Sequence, residues 1–259
     1  MDTLQQPSWK ILLIGDHCLD IYHYGVCERL SPEAPVPVLK VSNSETKPGM
    51  SSNVNLNLKA FGLKVNHQKS PDKIKKHRLI DTRFQHHLIR FDEGEEHLTN
   101  EINIKRLESI KNIDAVVISD YNKGFLRYKT INQICDMFKD YPIFVDTKKT
   151  NLSCFSNCYI KVNEKEFKSV NKMPKDSEFV VTLGEKGALY KNKTYPVKNT
   201  EVFDVCGAGD VFLSALVYGY LKHKSIELAI LIANKCAAFS VTKMGTYTLT
   251  KEDLNDLCI

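Results

Sequence analysis

The chain has 259 residues, with 36 Lys and Arg against 31 Asp and Glu, eight Cys and one Trp. This length suits one large domain or two small ones, and it buries a substantial core without disulfides or a structural metal. A hydrophobic fraction of 42% and a charged fraction of 26% exclude a disordered or fibrous chain. No apolar run approaches the roughly 20 residues that cross a bilayer, and residues 11–14 are too short for a secretory leader, so a cytoplasmic protein without membrane contact is expected.

In chain order, residues 10–14 read as a first β-strand. The segment 20–48 holds Pro32, Pro35 and Pro37 among aromatic and β-branched residues, with no room for a helix. Prolines belong on edge strands, so a small strand excursion is expected here, including a run at 36–41; it is a lid, a dimer contact, or an exposed hairpin without a role. Ser51 or Ser52 is placed to cap a helix whose Val54, Leu58 and Phe61 share one face and which Gly62 closes. Residues 64–90 then carry eight Lys and Arg and four His against only Asp72 and Asp81, and an acidic cluster follows at Asp92, Glu93, Glu95 and Glu96. Such a run is a solvated face, or it draws in an anionic substrate such as a phosphate. It lacks the aromatic interleave and reader motifs of a nucleic-acid binder, so no nucleic-acid partner is expected.

Strands are expected at 114–119, 142–145, 159–162 and 178–183. Ala115-Val116-Val117-Ile118 is apolar at every position, as for a strand buried on both faces of a parallel sheet. Ile131, Ile134, Cys135 and Phe138 form an amphipathic helical stripe, and long helices are expected near 208–221 and 226–242. Strands alternating with helices indicate an α/β fold with a mostly parallel sheet. The eight cysteines show neither zinc spacing nor a disulfide framework, so reduced and mostly buried thiols are expected.

In open α/β sheets, ligands bind beyond the carboxyl ends of the strands. That rule singles out Asp16, Asp20, Asp120, Asp146, Asn163, Gly184 and the 204–210 loop. The strongest local pattern is Asp204-Val205-Cys206-Gly207-Ala208-Gly209-Asp210, running straight into an apolar helix. Small residues at 207–209 let a ligand approach the backbone, and a helix starting there aims its unpaired N–H groups and positive dipole end at an anion. Asp210 is placed to take a proton from an attacking hydroxyl, or it is simply an N-terminal cap. No Walker A loop occurs, and Phe212 stands where a dinucleotide fingerprint needs its third glycine.

This pattern resembles the C-terminal signature of the ribokinase-like (PfkB) carbohydrate kinases in Asp204, Gly207, Ala208, Gly209, Asp210 and Ser214. Pro48-Gly49-Met50-Ser51-Ser52-Asn53 approximates the N-terminal signature of that family. More narrowly, the chain is similar to the heptose-phosphate kinase branch, the kinase half of the enzymes that make ADP-heptose for lipopolysaccharide. This rests on Gly15-Asp16, Leu19-Asp20, residues 29–38, residues 88–92, Ser119-Asp120-Tyr121-Asn122-Lys123-Gly124, Val145-Asp146-Thr147-Lys148 and residues 201–204.

The resemblance implies a three-layer α/β/α fold with a small β lid, spanning residues 1–259 as one kinase domain without the nucleotidyl-transferring domain of some relatives. It also implies ATP, Mg²⁺ and a sugar phosphate as ligands, and a homodimer clasped through residues 20–48. Asp210 would be the base that deprotonates the anomeric hydroxyl, with Gly207, Ala208 and Gly209 as the anion hole. Asp16, Asp20, Gly49 and Asn53 would hold the sugar, with Arg90, Asp120 and Lys123 also on the substrate side. Lys148, Asn163, Gly184, Asp204 and Asn234 would face ATP, and Asn163 with Glu166 would organise Mg²⁺, the carboxylate acting partly through water.

The chain departs from the pattern at three points. Met50 stands where the family has a second glycine, and Cys206 where it has threonine. Between Gly62 and Arg78 only residues 63–77 remain, so on the order of 35 residues, at least one βα unit, are expected to be missing and a sheet edge laid bare. The region near 168–178 is expected to be shortened by a further helix. These losses keep two alternatives open: a non-catalytic descendant that binds a sugar phosphate or nucleotide, and a kinase for another small sugar.

Overall fold

The computed structural model describes residues 8–71, 73–95, 101–198 and 200–259. Its first half contains β1 (Lys10–Gly15), β2 (His17–Leu30), β3 (Pro37–Met50), α1 (Ser51–Ala60), β4 (Lys64–Lys69), β5 (Ile74–Asp81), β6 (His86–Glu93) and α2 (Ile104–Glu108). The second half continues with β7 (Ala115–Asp120), α3 (Tyr128–Met137), β8 (Ile143–Thr147), β9 (Cys158–Asn163), α4 (Glu164–Ser169), β10 (Glu178–Thr182), β11 (Ala188–Tyr190) and β12 (Lys193–Tyr195). Helices α5 (Ala208–His223), α6 (Ile226–Ser240) and α7 (Lys251–Asp256) complete it.

Eight strands form one sheet in the order β12-β11-β10-β9-β8-β7-β1-β4. Neighbours from β4 through β10 are parallel, and only β10–β11 and β11–β12 run antiparallel. The uniformly apolar strands take this central place because both of their faces are covered. In β1, Ile11 and Leu13 join the core under α1, α5 and α6, while Leu12 and Ile14 join the opposite core under α2 and α3. All four are fully buried, and each such side chain contributes on the order of 2 kcal/mol. The ribokinase-like three-layer arrangement is therefore present.

A second sheet of four strands, β3-β2-β5-β6, forms the lid. The proline-bearing strand β3 lies at its edge, as the missing amide donors require. The lid is larger than the expected 20–48 excursion, because the basic run supplies two of its strands. Segment 63–77, expected to be a remnant, builds β4 on the main sheet and opens β5, which joins β2 in parallel. Lysines on both sides of β5 hide its period-2 alternation from a sequence reading. Among the described residues strand β4 stands at the end of the main sheet. Asp72 and Glu96 of the charged runs lie outside the described residues.

One local expectation is corrected. Neither Ser51 nor Ser52 caps α1; Met50 holds the cap position at φ 54°, and both serines lie inside the helix on the histidines beneath the lid. Ser51 Oγ is 3.0 Å from His67 Nε2, and Ser52 Oγ is 2.6 Å from His17 Nδ1. Gly62 does close the helix, at φ 80°. All eight cysteines are free thiols, five of them buried. No helix among the described residues is long and apolar enough to cross a membrane.

Candidate active site

Helix α5 begins at Gly207, whose φ of 78° lies in the left-handed region that glycine adopts without strain. A side chain there would also meet Asn53 Nδ2 at 2.8 Å. The turn points Asp210 inward, where it is 4% exposed. It does not cap the helix, because both carboxylate oxygens are engaged elsewhere. Oδ2 accepts from Asn53 Nδ2 and Oδ1 from the Tyr121 hydroxyl, each at 2.9 Å. Burial pushes the Asp210 pKa up to about 6, against the lowering effect of those two donors. Tyr121 is itself driven well above the ordinary tyrosine range by burial and by Asp210, so it stays a donor. Among the described residues, the amides of Gly207 and Gly209 have no acceptor, whereas that of Ala208 donates to the Val205 carbonyl at 3.3 Å.

On the lid side of Asp210 lie Asp16, Asp20, Gly49 and Asn53. Asp16 is fully buried; its Oδ2 accepts from the amides of Tyr121 at 2.7 Å and Lys123 at 3.3 Å, while Oδ1 has no partner. Burial and the neighbouring Asp120 raise its pKa to about 6. Asp20 is buried against the guanidinium of Arg78 in β5. Gly49 lets the Asp20 carboxylate pack against the backbone there, since a Cβ would lie 2.2 Å from Asp20 Oδ2. Asn53 is steadied by Asn57, whose Nδ2 donates to the Asn53 side-chain oxygen at 3.2 Å.

On the other side, a cavity of about 470 Å³ is lined by Asn163, Gly184, Asn234, Lys148 and the start of α5. Val202, Ala237, Ala238 and Val241 give it an apolar wall. Asn163 and Glu166 form a reciprocal capping box, each backbone amide donating to the other's side chain at 2.8 Å. Lys148 bridges Glu166 and Asp146. Burial opposes the charge on Lys148, but the two carboxylates outweigh it and raise its pKa. Asn234 donates to the Tyr195 carbonyl at 2.7 Å, which fixes that wall.

The side chains of four other candidate residues are engaged by further partners. Asp204 does not line the cavity: its oxygens accept from the amides of Cys206 and Gly245, both at 2.9 Å, and so shape the loop before α5. Asp120 is held by Thr147 and by Lys149, whose Nζ is 3.3 Å away. Lys123 pairs with Glu95 at 2.8 Å. Arg90, half exposed on β6, grips Asp92 on its own strand through two hydrogen bonds of 2.7 and 2.9 Å. Sequence reasoning assigned no role to Tyr121, Arg78 or Lys161. Their signals were a tyrosine straight after a crevice aspartate, and cations inside strands with buried neighbours.

The fold and this site define a small-molecule phosphotransferase, and comparison with known proteins gives the same class. The sequence pattern of the pfkB family carbohydrate kinase matches residues 52–253, and the chain belongs to that family. It is 32% identical to the bifunctional protein HldE of Nitratiruptor sp. over 300 aligned positions, covering 95% of this chain and 64% of the relative. The HldE protein of Campylobacter jejuni is likewise 32% identical, over 98% of this chain and 66% of its own length. The chain thus spans about two thirds of these relatives. An alignment of 300 positions that uses 95% of a 259-residue chain opens gaps in it, in line with the expected shortening. Among solved structures, phosphofructokinase-2 from Escherichia coli superposes with a TM-score of 0.76 at 16% identity, covering 96% of this chain and 98% of that one. Ribokinase from Thermotoga maritima superposes at 0.69 and 17% identity, covering 96% and 99%. Both show the shared fold.

Proposed function

We propose that the chain is an ATP-dependent kinase that phosphorylates a heptose 7-phosphate at its anomeric C1 hydroxyl, giving the 1,7-bisphosphate. The observation that carries this reading is the buried Asp210 carboxylate, held by Asn53 and Tyr121 at the wall of the 470 Å³ cavity. The similarity to HldE supports the heptose substrate.

In the reaction, the C1 oxygen attacks the γ-phosphorus of ATP while its proton passes to Asp210. The bond from γ-phosphorus to the bridging oxygen breaks, and ADP leaves. Asp210 is suited to this because a carboxylate near pKa 6 is a stronger base than a solvated one and is still ionised at pH 7. The unengaged amides of Gly207 and Gly209 meet the charge on the transferring group. Asp16, with one oxygen unpartnered, and Asp20 accept hydrogen bonds from sugar hydroxyls. The apolar wall at Ala237, Ala238 and Val241 suits a nucleobase, and Lys148 lies near the phosphates.

Mg²⁺ fits this site as an ion carried by the nucleotide. Among the described residues no group of three or more His, Cys, Asp or Glu could hold a metal, and Asn163 and Glu166 are already engaged in their capping box. Mg²⁺ takes most of its ligands from phosphate and water, and Glu166, paired with the cavity-lining Lys148, would reach it through water. There the ion would neutralise phosphate charge.

We further propose that the chain acts as one kinase domain in the cytoplasm, where a reducing medium suits its eight free thiols. It would pair as a homodimer through the outer lid face, where Ile89 and Phe91 are exposed. One observation favours the non-catalytic alternative: Met50 is buried at the lid base in a left-handed conformation. The deciding experiment is ATP-dependent phosphorylation across a panel of sugars and sugar phosphates, with the product located by ³¹P NMR. A C1 phosphate formed only from the heptose phosphate is expected. Turnover that survives Asp210→Asn would remove the proposed base, and ATP binding without any turnover would favour the non-catalytic reading.

A further inference from the structure

Lys161 lies between Ile160 and Val162 in β9, a strand covered on both faces. Its side chain is 4% exposed, an expensive place for an ammonium without close partners. Nζ donates to Asp146 Oδ2 at 2.7 Å. Asp146 is shared, since its Oδ1 faces Lys148 Nζ at 3.7 Å and accepts no hydrogen bond. The Lys161 ammonium also lies against the first turn of α5: a Cβ on Gly209 would stand 2.8 Å from it. A cation at a helix N-terminus is repelled by the helix dipole, and the Gly209 amide there has no acceptor. Three positive features thus converge on one wall of the cavity: the Lys161 ammonium, the Lys148 ammonium and the N-terminus of α5. Asp146 is the carboxylate shared between the two lysines, and Glu166 is drawn off to the Lys148 side. Asp210 is a third carboxylate near Lys161, but its oxygens are taken by Asn53 and Tyr121, so the open Gly209 amide beside the ammonium is where an anion would be met.

Resting on the kinase reading above, we infer that Lys161 is a further catalytic residue, whose ammonium touches the phosphoryl group in transfer. Asp146 aims it at the start of α5. No proton leaves Lys161; as the bond to the sugar oxygen forms and the bond to ADP breaks, the ammonium and the Gly209 amide stay on the equatorial oxygens. Lys148, tied to Glu166, serves the rest of the triphosphate.

The test compares wild type with Lys161→Gln, which keeps a donor for Asp146 and removes the charge, after both are shown to melt alike. The expected result is a fall in kcat of about 10²-fold or more with the sugar KM unchanged. Calorimetric titration with a non-hydrolysable ATP analogue and with ADP adds a readout that needs no turnover. The variant is expected to lose affinity for the analogue at least tenfold more than for ADP. Equal losses for the two nucleotides, or a kcat within threefold of wild type, would overturn the inference by making the lysine structural. Should Lys161→Gln fail to fold, lysine acylation of the wild type read by mass spectrometry replaces it. Protection of Lys161 by the ATP analogue but not by ADP supports the contact, and equal protection overturns it. A wild type that phosphorylates no sugar yet shows this γ-phosphate dependence would remove the kinase reading and keep the lysine contact.

Discussion

The crevice and the lid surface both use ion pairs, under opposite conditions. In the crevice Asp20–Arg78 and Asp146–Lys161 are almost wholly out of water, so each charge depends on its partner and losing one strands the other. At the edge strand β6 of the lid, Arg90 and the pair Lys75–Glu93 stand half in solvent, where ion pairs contribute little. The contrast is sharpest between Arg78 and Arg90, which are register partners across β5 and β6. Two residues of one type, side by side on one sheet, differ in burial because one is covered against the buried Asp20 and the other ends on its own strand. Charge is put under cover where a ligand is to be met.

The largest expected effect comes from Asp210→Asn. Loss of the base should lower kcat about 10³-fold while the melting curve stays cooperative, and retention of more than a tenth of the rate would detach Asp210 from the chemistry. Next is Arg78→Met, which leaves the Asp20 carboxylate buried and unpaired. Denaturant titration should show a loss of about 3 kcal/mol, together with a raised sugar KM. Gly49→Ala forces a Cβ onto Asp20 Oδ2 and Cys18 Sγ, and should cost about 2 kcal/mol by the same titration.

Smaller effects follow with pH. Because the Asp210 pKa is pushed up to about 6, kcat should fall toward tenfold per unit below that value. The stability contribution of the same group runs the other way. Its folded pKa lies above the ordinary 3.8, so the native state binds that proton more tightly, and the resulting stability is lost as pH rises from about 4 to about 6. Wild type should therefore lose roughly 2–3 kcal/mol relative to Asp210→Asn across this window, measured as paired melts. The smallest effect is on Arg90→Ala, whose stability should stay within about 0.5 kcal/mol of wild type. A loss near that of Arg78→Met would erase the contrast between crevice and lid.

The central sheet was legible in the sequence because strands buried on both faces are apolar at every position, as in residues 115–118. Helices α5 and α6 were legible from their apolar length. Strands β5 and β6 were not, because lysine and histidine stems sit on both faces of a lid that is partly wet, so hydrophobic alternation carries little signal. Within the site, the glycine-rich turn pointed directly to Asp210. Its partners Asn53 and Tyr121 come from distant segments, and only the folded topology brings them together. Asn163 and Glu166 form the helix start that the local reading gives, and Asn163 also lines the cavity.

Helix α5 carries Asp210 on its first turn and buries eleven of its 16 residues, from Asp210 through Leu221. A helix gripped on nearly every side has little freedom to shift or tilt, so Asp210 acts as a fixed reference point within the molecule. Any change of acceptor must then be accommodated around that point, by moving the substrate rather than the base. The adjustable parts are the lid strands and their inward side chains, from Asp20 to Arg78. Selection for a new sugar would be expected to leave its marks there and to leave α5 as it is.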